Sequence, residues 1–127
     1  MASVPTLTAA LPLRLLEHAL EPANSRERAS FEATIAAESL FLRGHFPGRP
    51  IFPGIAQVAA IVLPGIHQLW PALVQPRRLS RLKFRAPISP GDALILTLER
   101  GGAESVRFRL MRAGTLCSEG VLDFSRA

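Results

Sequence analysis

The sequence predicts an α+β domain in which an antiparallel sheet curves around one buried helix, and three observations carry that expectation. Apolar residues recur with period two in several short runs bounded by turn residues, the pattern of strands with one covered face. One longer run, Ile55 to Leu63, is apolar on nearly every side and broken only by Gln57, which predicts a helix enclosed by protein. The order is two strands, the helix, then four strands. A sheet wrapped around the helix satisfies both the strands and the apolar run.

The segments justify this in order. Met1 to Thr6 carry no pattern and are expected to be loose. Leu11 to Leu20 fits helix or strand by periodicity alone; the turn residues Glu21 to Ser25 and the alternation of Phe31, Ala33 and Ile35 with Ser30, Glu32 and Thr34 favour a strand. The two stretches, Leu11 to Leu20 and Ala29 to Ala37, then form a hairpin. Leu40-Phe41-Leu42 is a short apolar knuckle before a loop that packs three Pro and three Gly around His45, ending at Gly54. Pro53-Gly54 opens the helix, since a proline there has no hydrogen bond to lose. Pro64-Gly65 is expected to kink or end it, with Ile66 to Trp70 adding a turn.

Beyond Pro76 the period returns to two. Leu79, Leu82, Phe84 and Ile88 interleave, imperfectly, with Arg77, Arg81, Lys83 and Arg85. Ser89-Pro-Gly-Asp92 is a turn, Leu94, Leu96 and Leu98 mark the next strand, and Gly101-Gly102 a hairpin turn. Val106, Phe108 and Leu110 alternate with Arg107 and Arg109, Ala113-Gly114 turns again, and Leu116 to Phe124 closes the sheet. An open sheet of this size has exposed edges, and pairing two copies covers them. A dimer is expected.

Length and composition narrow the class. The chain of 127 residues, 48% of them hydrophobic, is expected to be a single domain over residues 1–127. No apolar run reaches the ~18 residues of a membrane span, because Pro64, Gly65, His67 and Gln68 interrupt the best candidate. The N-terminus lacks the pattern of a secretory leader, and Cys117 has no partner cysteine, so a cytoplasmic location is expected. The formal charge is +5, and all fifteen basic residues except Lys83 are arginine, which suits an acidic partner. Nucleic acid is disfavoured: there is no Tyr, Trp70 lies apart from the arginine cluster, and no zinc or helix-turn-helix spacing occurs. Three scattered His and one Cys make no metal-ligand set.

Two segments carry a resemblance. Gly44-His-Phe-Pro-Gly-Arg-Pro-Ile-Phe-Pro-Gly54 resembles the signature of the hot-dog-fold 3-hydroxyacyl-acyl carrier protein dehydratases, and Lys83-Phe-Arg-Ala-Pro-Ile-Ser-Pro-Gly-Asp92 resembles their second signature. The similarity extends from about Leu11 to Phe124. The placement of Glu38, His45 and Gln57 looks closest to the branch found in aryl-polyene biosynthetic clusters. The resemblance implies a site shared across a homodimer, or a heterodimer with a related hot-dog subunit. There an acyl carrier protein, or coenzyme A, delivers a 3-hydroxyacyl thioester on its phosphopantetheine arm, with no further cofactor.

In that scheme His45 is the base, its imidazole titrating near neutrality. The Gly54 backbone amide, at the start of the helix, faces the thioester oxygen. Phe46, Pro53, Ile55 and Ala59 line the substrate. One position departs from the family: the Asp or Glu five residues beyond that glycine, given by the other subunit, is Ala59 here, and no acidic residue lies between Glu38 and Asp92. That leaves slowed dehydration, room for a bulky acyl chain, or a carboxylate such as Glu38, Asp92 or Glu99 reaching in. The alternatives are a non-catalytic carrier-binding or partner subunit and a hot-dog thioesterase. His18 and His67 lack matching context and are expected to be packing or surface residues. The basic run of Arg77, Arg78, Arg81, Lys83 and Arg85 is either a solvated strand face or a rim that docks an acidic carrier protein.

Overall fold

The computed structural model describes residues 13–21, 26–34, 57–89, 91–101 and 104–124. The strands are β1 (Leu13–Glu21), β2 (Arg26–Thr34), β3 (Arg78–Phe84), β4 (Ala93–Gly101), β5 (Ser105–Arg112) and β6 (Thr115–Asp123). They form one antiparallel sheet in the order β1-β2-β4-β5-β6-β3. Between β2 and β3 a π-helical turn, Val58–Val62, leads into α1, Leu63–Leu69. The predicted order therefore stands. β2 begins three residues ahead of the expected start, because Arg26, Glu27 and Arg28 pair in register with both β1 and β4.

One face of the sheet is covered. Phe31 and Ala33 of β2, Leu94, Leu96 and Leu98 of β4, and Phe108 of β5 are buried to 1% exposure or less, as period two requires. Val58, Ile61, Val62 and Ile66 join them in the same core. The helix comes close to the sheet at Gly65: a Cβ there would lie 3.0 Å from Leu96 Cδ2 and 3.4 Å from Leu98 Cδ1. This glycine is thus a packing residue.

One expectation for the helix needs correction. Pro64-Gly65 does not end it: the π-helical turn gives way just ahead of Pro64 to α1, which runs on to Leu69. A proline inside a regular helix deprives the carbonyl four residues back of its donor and crowds it. Here the Leu63 N–H reaches back five residues to the Val58 carbonyl, which widens the turn ahead of Pro64. Pro64 then stands in the first turn of α1, where no donor is needed. Gln57, Val58, Ile61 and Val62 are buried, as expected for the stretch from Ile55 to Leu63, while His67 and Gln68 are exposed in the added turn. Its final bond is Trp70 N–H to the Ile66 carbonyl at 2.7 Å.

The imperfect alternation in β3 is a β-bulge. Ser80 faces Val121 and Lys83 faces Glu119, so Arg81 and Leu82 together oppose Gly120. Arg81 takes a φ of 55°, a conformation that costs a non-glycine residue about 1–2 kcal/mol. Gly120 provides the space into which Leu82 turns. At the β5–β6 hairpin, Ala113 and Gly114 have φ of 48° and 85°, as a two-residue turn matched to strand twist requires.

Candidate active site

The helix fixes what can be placed of the site. Gln57, its first described residue, is 3% exposed, and the apolar residues after it anchor the segment to β4 through Gly65. His45, Phe46, Pro53, Gly54 and Ile55 lie outside the described residues, as do Glu38 and the Leu40-Phe41-Leu42 knuckle. Ala59 has its backbone in the π-helical turn, and its side chain lies outside the described residues. That turn is a common feature of functional segments, although Pro64 accounts for it here.

The second motif is anchored by Asp92. Its backbone N–H donates to the Ser89 carbonyl at 3.2 Å, and its Oδ2 accepts from Ser89 N–H at 2.8 Å, closing the predicted turn. Arg112 of β5 binds the same Oδ2 at 3.4 Å and also donates to the Pro87 carbonyl. Glu99 pairs with Arg28 at 3.7 Å. Both carboxylates are thus held by arginines of their own chain.

His18 and His67 are surface residues with structural bonds. His67 Nε2 is 2.8 Å from the Val74 carbonyl, holding the chain that leaves α1. His18 Nε2 is 2.5 Å from Glu27 Oε2, and Glu27 Oε1 accepts from Trp70 Nε1–H at 3.0 Å. The Arg100 guanidinium lies over the Trp70 ring at 5.6 Å. These four residues form a polar clasp between the end of the helix and the edge of the sheet. Sequence reasoning missed it, because the partners are far apart in the chain and no spacing links them.

Burial alone would raise the Glu27 pKa, but the hydrogen bonds from His18 and Trp70 and the charges of His18 and Arg100 outweigh it, so Glu27 sits below its ordinary value. A depressed carboxylate contributes stability above its unfolded pKa, and that contribution is lost as pH falls through the folded pKa. Thermal unfolding should therefore show the native protein ahead of Glu27→Gln near neutrality. The gap should shrink as pH drops through the carboxylate range; a constant gap would mean that the clasp acts by packing alone.

Cys117 is fully buried, and burial pushes its thiol pKa up, so it stays protonated and unreactive. Among the described residues no cluster of His, Cys, Asp and Glu could hold a metal ion. No helix among them is long and apolar enough to cross a membrane. The residues of the basic run are all exposed, and Arg85 pairs with Glu119 at 3.2 Å.

Comparison with known proteins supplies the family. The chain matches the model of the ApeI-like family, described as ApeI dehydratase, over residues 21–121. It is 32% identical over 124 residues to the 3-hydroxyacyl-[acyl-carrier-protein] dehydratase FabZ of Moorella thermoacetica, covering 90% of this chain and 86% of that protein. To the FabZ of Wolbachia sp. subsp. Drosophila simulans it is 34% identical over 91 residues, covering 67% of this chain and 63% of that protein. Its fold matches the dehydratase heterocomplex ApeI:P from Xenorhabdus doucetiae with a TM-score of 0.65 at 20% identity, over 89% of this chain and 97% of that one. The six-stranded sheet packed on the described helical segment is thus a hot-dog fold, and the chain belongs to the ApeI-like family of dehydratases.

Proposed function

We propose that the chain is a dehydratase-type subunit acting on 3-hydroxyacyl thioesters held by an acyl carrier protein, with His45 as base and the Gly54 amide as oxyanion donor. The observation that carries this reading is the family match across residues 21–121, which contains both motif segments in order. In the reaction His45 removes the proton from the carbon beside the thioester carbonyl, and the enolate oxygen is stabilised by the amide at the start of the helix. The 3-hydroxyl then leaves as water, taking the proton that His45 removed, so the imidazole is neutral again and the enoyl thioester remains. The net step is an elimination with no change in electron count, so no redox cofactor is called for. Phe46, Pro53, Ile55 and Ala59 line the acyl chain in this reading, and the pathway is fatty acid, polyketide or aryl-polyene synthesis in the cytoplasm.

Assembly with a second hot-dog subunit supports the same scheme. β3 is an edge strand, and it leaves Leu79 39% and Phe84 49% exposed. An edge with unpaired backbone groups and exposed apolar side chains suits a second sheet. A specific observation favours a related reading: with Ala59 in place of the family acid, the chain could serve as the partner of a subunit that has one. The ApeI:P neighbour is itself a heterocomplex.

The test follows interconversion of 3-hydroxyacyl- and enoyl-carrier protein by mass, for the chain alone and with a related hot-dog subunit. The native chain is expected to turn over, and His45→Ala to lower the rate by about 10²–10⁴-fold. Unchanged turnover in His45→Ala would sink the assignment. Activity only with the second subunit would support the partner reading.

A further inference from the structure

Two shallow depressions lie side by side on the sheet face turned away from the helix and share Arg107 and Val121. One, of about 190 Å³, is lined by Arg81 and Lys83 of β3, Arg107 of β5 and Glu119 of β6. The other, of about 200 Å³, continues to Glu99 and Arg26. Arg107 stands exposed between buried Val106 and Phe108, which fixes the face it occupies.

Charges on a strand face are commonly no more than solvated, but two features set these apart. First, both lining carboxylates are neutralised from outside. Glu119 pairs with Arg85 at 3.2 Å and Glu99 with Arg28 at 3.7 Å, and neither arginine lines a depression. The side chains of Arg81, Lys83 and Arg107, by contrast, engage in no hydrogen bond or ion pair among the described residues. Secondly, the β3 bulge puts two of them there. Leu79 pairs with buried Leu122, so unbroken alternation would turn Arg81 and Lys83 toward the helix side. The bulge reverses the phase, so Lys83 shares the outer face with Glu119, and Arg81 joins it at a φ of 55°. A strained residue that delivers an unmatched charge to a concave surface points to a ligand.

We propose that this groove binds a phosphate-class dianion, with Arg81, Lys83 and Arg107 as its cationic contacts. Guanidinium forks match phosphate oxygens in pairs, and the lysine ammonium adds a compact point charge. Because the second depression continues past Arg107, two linked phosphates fit better than one. No aromatic side chain lines either depression, so nothing there stacks on a nucleobase. The site lies across the sheet from the helix and stands independently of the acyl chemistry proposed above.

The test titrates the full chain with inorganic diphosphate by calorimetry at fixed ionic strength, and separately with phosphatidylcholine vesicles with and without phosphatidic acid. Binding to diphosphate assigns a free phosphate ligand; binding only to the phosphatidic acid vesicles assigns a lipid headgroup; binding to neither overturns the site. Arg107→Gln, which removes the residue common to both depressions, should weaken binding about tenfold or more. Arg109→Gln, an exposed cation on the same strand outside both depressions, should leave it unchanged. Equal weakening by both would mean that the overall charge of +5, and no built site, attracts the anion. Arg81→Gly separates structure from binding: it should raise the melting temperature by relieving the backbone and also weaken binding. A more stable protein with undiminished binding would remove Arg81 from the site.

Discussion

Ala59→Glu is expected to raise the dehydration rate about 10²-fold, at the lower end of what a positioned general acid supplies. The expectation rests on the proposed reaction and on the position five residues beyond Gly54, where the family resemblance implies an acid. Donation to a departing hydroxyl requires the carboxyl to be protonated near neutral pH, and desolvation by a bound acyl chain would raise its pKa in that direction. A 10²-fold gain corresponds to about 2.7 kcal/mol of transition-state stabilisation. It should appear in kcat with little change in KM, because the acid acts on the reacting bond and not on the carrier arm. The assay is the same mass-shift interconversion, with His45→Ala in the Ala59→Glu background as control. If Ala59→Glu slows a native chain that already turns over, Ala59 is making room for the acyl chain and the acid lies elsewhere.

Much of the fold was legible because its local signals agree with one another. The alternation of Leu94, Leu96 and Leu98, the Ala113-Gly114 turn and the apolar run before Pro64 each demand one local structure, and each finds it in the structure. Proline misled because the rule for it assumes regular four-residue spacing, and a turn with five-residue spacing removes the conflict. The broken period at Arg81-Leu82 was visible in the sequence, but its cause was not. It depends on Gly120, some forty residues away in the chain and directly opposite in the sheet. The Glu27 clasp was hidden for the same reason, since burial and topology bring its members together. The motif around His45 was read from residue identity and resemblance, and lies outside the described residues.

Gly120→Ala is expected to destabilise the protein by about 2 kcal/mol, in the usual range for forcing extra volume into a packed core. A Cβ at this position would lie 2.4 Å from Leu82 Cδ2 and 2.8 Å from Phe108 Cε2, both inside van der Waals contact. Gly120 has no positive φ, so the requirement is for space and not for backbone freedom. For a domain of this size the loss corresponds to a fall in melting temperature of roughly 8 °C. Relief has two routes. Phe108 is fully buried on β5 and has little room to move. Leu82 is half-buried at the bulge and can swing outward, at the cost of the contacts that hold the bulge in place. Leu82→Ala in the Gly120→Ala background should therefore cost less than Leu82→Ala in the native chain, giving a coupling of about 1 kcal/mol in a double-mutant cycle. Additive effects would show that Phe108, and not Leu82, takes up the strain, and that the β3 bulge holds its shape without the glycine opposite.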